Sequence, residues 1–183
     1  SDARQAELLK FAEALADVAR SVLIPAHADP DTRLEIKADG SPVTWADKEA
    51  ERLMRQLIAK AYPSHGILGE EFGTTAGTSG LTWVLDPIDG TRSFLAGTPT
   101  WGVLIAVSDE NGPIYGLIDQ PYIGERFAGG LGRADLRGPN ARIRSGIASS
   151  SSLLRGAGHQ QQFVQTRGTV TVGLHPCGQL RIE

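Results

Sequence analysis

Apolar residues recur at spacings of three and four near the start of the chain. Leu8, Phe11, Leu15, Val18 and Val22 predict an amphipathic helix over residues 4–24, with Pro25 as its stop. Residues 26–41 are polar and carry Asp-Pro-Asp and Asp-Gly pairs, which predicts a loop with one short strand at 34–37. A second helical period starts after Thr44. The Thr44 hydroxyl is placed to cap it, and Asp47 three residues on makes a variant of the capping box. Ala46, Ala50, Leu53, Leu57 and Ala61 mark its expected buried face, and Tyr62-Pro63 its end.

The pattern then changes to short β-rich runs. Residues 66–71 read as a strand that delivers Glu70 and Glu71 to its end, followed by a glycine-rich loop over 73–80. Residues 81–85 form the next strand, 86–91 a turn, and 92–96 one or two helical turns. The run Trp101-Gly-Val-Leu-Ile-Ala-Val107 is almost wholly apolar and predicts a strand buried on both faces. Asp109-Glu-Asn-Gly112 is a hairpin turn, returning through 114–118 as an antiparallel partner, with a third strand at 125–129. Two helices followed by a meander predict an α+β fold with helices layered on an antiparallel sheet.

The texture changes after Arg137. Serine and glutamine runs occupy 149–152 and 160–162, and no period is sustained except at 169–172. Residues 138–183 hold five arginines, no lysine and a single acid, Glu183, whereas most of the acids lie before them. The expected division is therefore a folded unit over 1–137 and an atypical segment over 138–183.

Composition narrows the function. The 183 residues are 40% hydrophobic, enough for a packed core, and carry a formal net charge of −3, so no global basic surface invites nucleic acid. Five arginines without interleaved aromatics beyond Phe163 are a weak nucleic-acid pattern. No apolar run is long enough to span a bilayer, which predicts no membrane partner. A single cysteine, Cys177, excludes an internal disulfide and a cysteine-rich zinc site. With no signal-peptide pattern at the start, the expected location is cytoplasmic, or organellar after removal of a transit peptide.

The chemistry concentrates at Asp86-Pro-Ile-Asp-Gly-Thr91. Two aspartates three residues apart on a turn repel one another unless a cation lies between them. Hard divalent cations take carboxylate and carbonyl oxygens, so Asp86, the Ile88 carbonyl and Asp89 form a candidate metal set. The backbone N–H groups of Gly90 and Thr91 suit an anion such as phosphate. The same turn also reads as an ordinary acidic strand end, Glu70 and Glu71 as a solvated pair, and Asp47 as a complement to a helix dipole. His27, His65, His159 and His175 have no ligand spacing.

Together, Glu70-Glu71, Asp86-Pro-Ile-Asp-Gly-Thr91 and the upstream stretch from Lys37 through Ser41-Pro-Val-Thr-Trp-Ala-Asp47 resemble the inositol monophosphatase family of metal-dependent phosphatases. The Arg92-Ser-Phe94 ending, Trp101-Gly-Val-Leu-Ile-Ala106 and Gly116-Leu-Ile-Asp-Gln-Pro121 are similar to its histidinol-phosphate phosphatase branch. The resemblance covers residues 5–137. It implies two or three Mg²⁺ ions, with Glu70 on a catalytic ion and holding the attacking water, Asp86 bridging two ions, the Ile88 carbonyl completing the first site and Asp89 serving the second. Thr91, supported by Asp47, would orient and help deprotonate water. Ile88, Asp89, Gly90 and Thr91 would surround the phosphate of a small phosphorylated substrate. Members are commonly homodimers.

The resemblance also implies a second α/β domain with a Trp-Asp motif whose aspartate completes the second metal site. No tryptophan follows Trp101. The expectation is that the residues from about 139 onward are a non-native ending on a genuine N-terminal domain, leaving the site short of one carboxylate. Three readings follow: a histidinol-phosphate phosphatase of histidine biosynthesis, a phosphatase for inositol monophosphate or another sugar or nucleotide phosphate, and a catalytically dead fragment.

Overall fold

The computed structural model describes residues 2–27, 29, 34–38, 40, 42–130, 133–138, 146–147, 172–174 and 180–182. The helix α1 runs over Asp2–His27 and turns Leu8, Ala12, Leu15, Ala16, Ala19, Leu23 and Ala26 inward. Pro25 lies inside its last turn instead of ending it. The bond it forgoes is the one to the carbonyl four residues back, so the disturbance is confined to the C-terminal turns of the helix.

A two-stranded hairpin of β1 (Leu34–Ile36) and β2 (Pro42–Thr44) leads into α2 (Trp45–Ala61). Thr44 caps α2 as expected. Its backbone is extended, its hydroxyl accepts from the Ala46 and Asp47 amides, and Asp47 returns a bond to the Thr44 N–H. The buried stripe is rotated by one residue from the expected one. Met54 and Ile58 join Ala46 and Ala50 in the core, while Leu53 and Leu57 flank it and Ala61 is exposed. The same stripe carries two acids, Asp47 and Glu51.

The next eight strands are β3 (Gly66–Gly69), β4 (Gly73–Thr75), β5 (Thr82–Asp89), β6 (Gly102–Asp109), β7 (Gly112–Gln120), β8 (Glu125–Gly130), β9 (Arg133–Arg137) and β10 (Gly146–Ile147). They form one sheet in the order β10-β9-β8-β7-β6-β5-β3-β4. Every pairing is antiparallel except β3 with β5, which is parallel. The expected loop after Gly73 opens with β4, which folds back on β3. The short helix α3 (Thr91–Leu95) separates β5 from β6. Strands β11 (Val172–Leu174) and β12 (Leu180–Ile182) pair separately, and most of the expected 169–172 strand lies outside the described residues.

The helices α1 and α2 share one core with the sheet, through Trp83, Leu85, Ile88, Val103, Ile105, Val107, Tyr115 and Leu117. Alternate residues Val84, Leu104, Ala106 and Ile118 are buried in a second cluster. Thus β6 is buried on both faces, as its unbroken apolar run requires. At the other end of the core, Trp83 Nε1 donates to His65 Nδ1 at 3.0 Å, and the His65 ring stacks on Tyr62.

Candidate metal and phosphate site

The site is assembled where β3 ends beside the last half of β5. Their parallel register pairs Gly69 with Leu85, so the residues that follow lie side by side, Glu70 just past the end of β3 and Asp86 still paired with β6. A bond from the Glu70 N–H to the Leu85 carbonyl at 3.1 Å holds the two chain ends in step. Against β6, Asp86 faces Leu104 but Asp89 faces Gly102, so β5 carries one extra residue between them. A bulge of this kind bends the strand and re-aims its side chains. Pro87 fits there because a bulged residue needs no ladder donor. The strand thus continues through Asp89, and the turn comes at Gly90, whose φ of 87° lies in the left-handed region.

Two acids on α2 face this corner. Asp47, buried in the first turn, accepts from both the N–H and the hydroxyl of Thr44 at 2.7 Å. Glu51, fully buried, accepts from the Glu71 N–H at 2.7 Å and the Phe72 N–H at 3.2 Å, and pairs with Arg55 Nε at 2.7 Å. Arg55 also reaches the Gly73 carbonyl and Thr75 Oγ1. Glu51 and Arg55 therefore clamp the backbone that presents Glu70 and Glu71. The clamp is visible in the sequence only as Asp47, Glu51 and Arg55 at four-residue intervals, one face of a helix. From the other side, Lys37 at the end of β1 donates to Glu70 Oε1 at 3.0 Å and Glu71 Oε1 at 2.7 Å.

The electrostatics are those of crowded acids. Burial pushes the Asp86 carboxyl well above its usual range, and Glu70, Asp89 and Asp47 push it further. Its Oδ1 is buried without a hydrogen-bond partner, although Glu70 lies close enough for the two carboxyls to share a proton. Burial also raises Asp47 to about 6, against the hydrogen bonds from Thr44. Burial raises Glu71 to about 7 despite its bond with Lys37. Desolvation pulls the Lys37 ammonium down, but its bonds to Glu71 and Glu70 and their charges outweigh that and hold it above the ordinary lysine range.

Glu70, Asp86 and Asp89 are thus brought together, with Asp47 near enough to act on Asp86. Among the described residues no hydrogen bond joins Asp47 to Thr91. Thr91 Oγ1 donates instead to the Ile88 carbonyl at 3.1 Å. Nor do three His, Cys, Asp or Glu side chains converge as a preassembled metal set among the described residues. The donors nevertheless fit a divalent cation. They are oxygens, they carry several like charges, and the orphaned Asp86 Oδ1 is a buried acceptor that a cation would satisfy.

Known proteins supply the comparison. The sequence pattern of the inositol monophosphatase family matches residues 4–169, and so continues past Arg137. A histidinol-phosphatase of Streptomyces coelicolor is 42% identical over 123 residues, 65% of this chain and 46% of that protein. One from Chlorobaculum parvum is 34% identical over 176 residues, 96% of this chain and 66% of that protein. The structure of an inositol monophosphatase from Zymomonas mobilis is 37% identical and superposes with a TM-score of 0.60, covering 73% of this chain and 51% of the other. The chain spans about half to two thirds of the length of these proteins.

Proposed function

The chain belongs to the inositol monophosphatase family, and on that footing we propose that it is a magnesium-dependent phosphomonoester hydrolase acting on histidinol phosphate. The observation that carries this reading is the corner of β3 and β5, where buried Asp86 has an unpartnered oxygen and is crowded by Glu70, Asp89 and Asp47. Glu70, Asp86, the Ile88 carbonyl and Asp89 would hold two or three magnesium ions. When bound, magnesium screens the phosphate's charge and acidifies water. Thr91 would orient the attacking water and help take its proton, with Asp47 in support. The N–H groups of Gly90 and Thr91 would hold the phosphate. Phosphate monoesters hydrolyse among the most slowly of all uncatalysed substrates, and this division of labour addresses that barrier without a covalent intermediate.

The histidinol-phosphatase relatives support the substrate, and residues 1–137 would be the metal-binding unit, with 138–183 an atypical segment. The Zymomonas structure favours a second reading, inositol monophosphate. In the described residues no helix is long and apolar enough to cross a membrane. We place the protein in the cytoplasm, or in an organelle after transit-peptide removal, as a homodimer handling a small phosphorylated substrate. The test is magnesium-dependent phosphate release from histidinol phosphate and inositol 1-phosphate, by wild type and by Asp86→Asn. Release from the first substrate alone, lost in the variant, is the expected result. No release from either would make this chain a catalytically dead fragment.

A further inference from the structure

Lys37 is the one described cation that enters the carboxylate corner by hydrogen bonds to the acids at the end of β3. Its Nζ bridges Glu70 Oε1 at 3.0 Å and Glu71 Oε1 at 2.7 Å. The Glu71 side chain is almost fully buried at 3% exposure, while Glu70 retains 26% and Lys37 23%. The bridge is therefore lopsided. Its shorter arm is anchored on a buried oxygen, and its longer arm lies on the acid that remains within reach of solvent ions. Lys48, by contrast, pairs with Glu35 on the exposed face of the β1–β2 hairpin.

We propose that Lys37 is a built-in rival for the divalent cation, holding Glu70 through its ammonium until a metal ion takes that carboxylate, and so setting how tightly the site binds metal. The proposal rests on the reading of Glu70 as a metal ligand. One carboxylate cannot serve an ammonium and a divalent cation at close range without the two cations repelling each other. Metal binding at Glu70 must therefore loosen the longer arm of the bridge, while the Glu71 arm keeps Lys37 tethered to the site. The tether makes the exchange local and reversible: the ammonium releases one oxygen and keeps the other. It also ties the residue just after β1 to the acids at the end of β3, so metal loading is felt at the hairpin.

The experiment measures Mn²⁺ affinity by calorimetry on the full chain, for wild type, Lys37→Met, Lys37→Arg and the surface control Lys48→Met. Removing a charge-assisted hydrogen bond should make Lys37→Met bind Mn²⁺ about tenfold more tightly. Lys37→Arg and Lys48→Met should stay within about twofold of wild type, because the first keeps the bridging charge and the second lies outside it. A second measurement needs no variant: acetylation of Lys37 in wild type, followed by mass spectrometry, should speed up severalfold when Mn²⁺ is added, while Lys48 is unchanged. Wild type that binds Mn²⁺ without any rise in Lys37 acetylation overturns the proposal. So does a folded Lys37→Met with unchanged or weaker affinity, or an equal gain in Lys48→Met. Wild type that takes up no Mn²⁺ overturns the metal-site reading and this proposal with it, which separates the two failures.

Discussion

A methyl group at Gly69 is the sharpest perturbation the structure offers. An added Cβ would overlap Glu51 Oε1 and Cδ and lie 2.8 Å from Arg55 Nη2. A flexible side chain could usually retreat from such an overlap. Glu51 cannot retreat at low cost, because its two oxygens already serve the Glu71 and Phe72 amides and Arg55. Crowding of this kind costs about 1–3 kcal/mol. Each charge-assisted bond that breaks as Glu51 moves adds about 1.5–3 kcal/mol. With partial relaxation, Gly69→Ala should destabilise by about 3 kcal/mol, which lowers the melting temperature by roughly 6–12 °C for a chain of this size.

The assay is urea unfolding followed by tryptophan fluorescence, since Trp83 is fully buried beside His65. Glu51→Ala alone should also cost about 3–5 kcal/mol, because it strands Arg55 and two amides. In the double variant the methyl enters the space Glu51 has left. The two losses should then fall short of additive by about 2 kcal/mol. Gly69→Ala within about 1 kcal/mol of wild type, or strict additivity, would refute the clamp.

Other consequences follow from the same geometry. Asp86→Asn replaces a buried carboxyl crowded by acids with a neutral amide, so it should stabilise the fold by about 1–3 kcal/mol while abolishing magnesium-dependent phosphate release; thermal melting and a phosphate assay check both halves. Asp47 and Glu71 hold protons more tightly folded than unfolded, with values raised from 3.8 to about 6 and from 4.5 to about 7. Their contribution to stability is therefore greatest below about pH 4 and is lost as the pH rises to about 7, so the melting temperature in EDTA should fall between about pH 4 and pH 7, less steeply in Asp47→Asn, and Mg²⁺ should restore most at the upper end. Arg20→Ala removes the two-pronged contact to buried Asp119 and should cost about 1–3 kcal/mol in urea unfolding, leaving metal affinity unchanged. His65→Ala takes the acceptor from the Trp83 indole and should cost about 1–3 kcal/mol, with a change in Trp83 fluorescence.

Much of the frame is legible in residue order because it is written locally. The Thr44–Asp47 capping box needs only four consecutive residues, and the turn between β6 and β7 needs only Asp109 to Gly112. The acids at the ends of β3 and β5 stand out because motif spacing carries them. What the sequence hides is set by distant partners. The parallel pairing of β3 with β5 depends on β4 folding back, and a Gly-Thr-Thr run has no apolar alternation to announce that. The α2 stripe centres on Met54 and Ile58 because packing with α1 and the sheet, not the helical period alone, selects the buried face. The bridge from Lys37 to Glu70 spans 33 positions and the clamp from Glu51 to Glu71 spans 20, separations at which no local pattern survives.

Two buried aspartates in the same sheet show how the fold separates support from chemistry. Asp119 on β7 is fully buried and accepts two bonds from Arg20, at 3.0 and 2.7 Å, and one from Arg126 Nε at 2.9 Å. Its charge is neutralised inside the protein, tying α1 to β7 and β8. Asp86 on β5 is also buried, yet among the described residues no guanidinium is bonded to it and its Oδ1 has no partner, while Glu70, Asp89 and Asp47 crowd it. A sheet able to enclose one carboxylate so completely is not short of means to enclose another. Buried polar atoms are almost always satisfied, and exceptions concentrate where a protein does its work. Leaving Asp86 unpaired costs stability that a single arginine would recover, and that arginine would also occupy the position a divalent cation needs. The contrast fits the proposal that the carboxyl at the β5 bulge is kept for a ligand from outside the chain, while the carboxylate near the end of β7 is held for the fold.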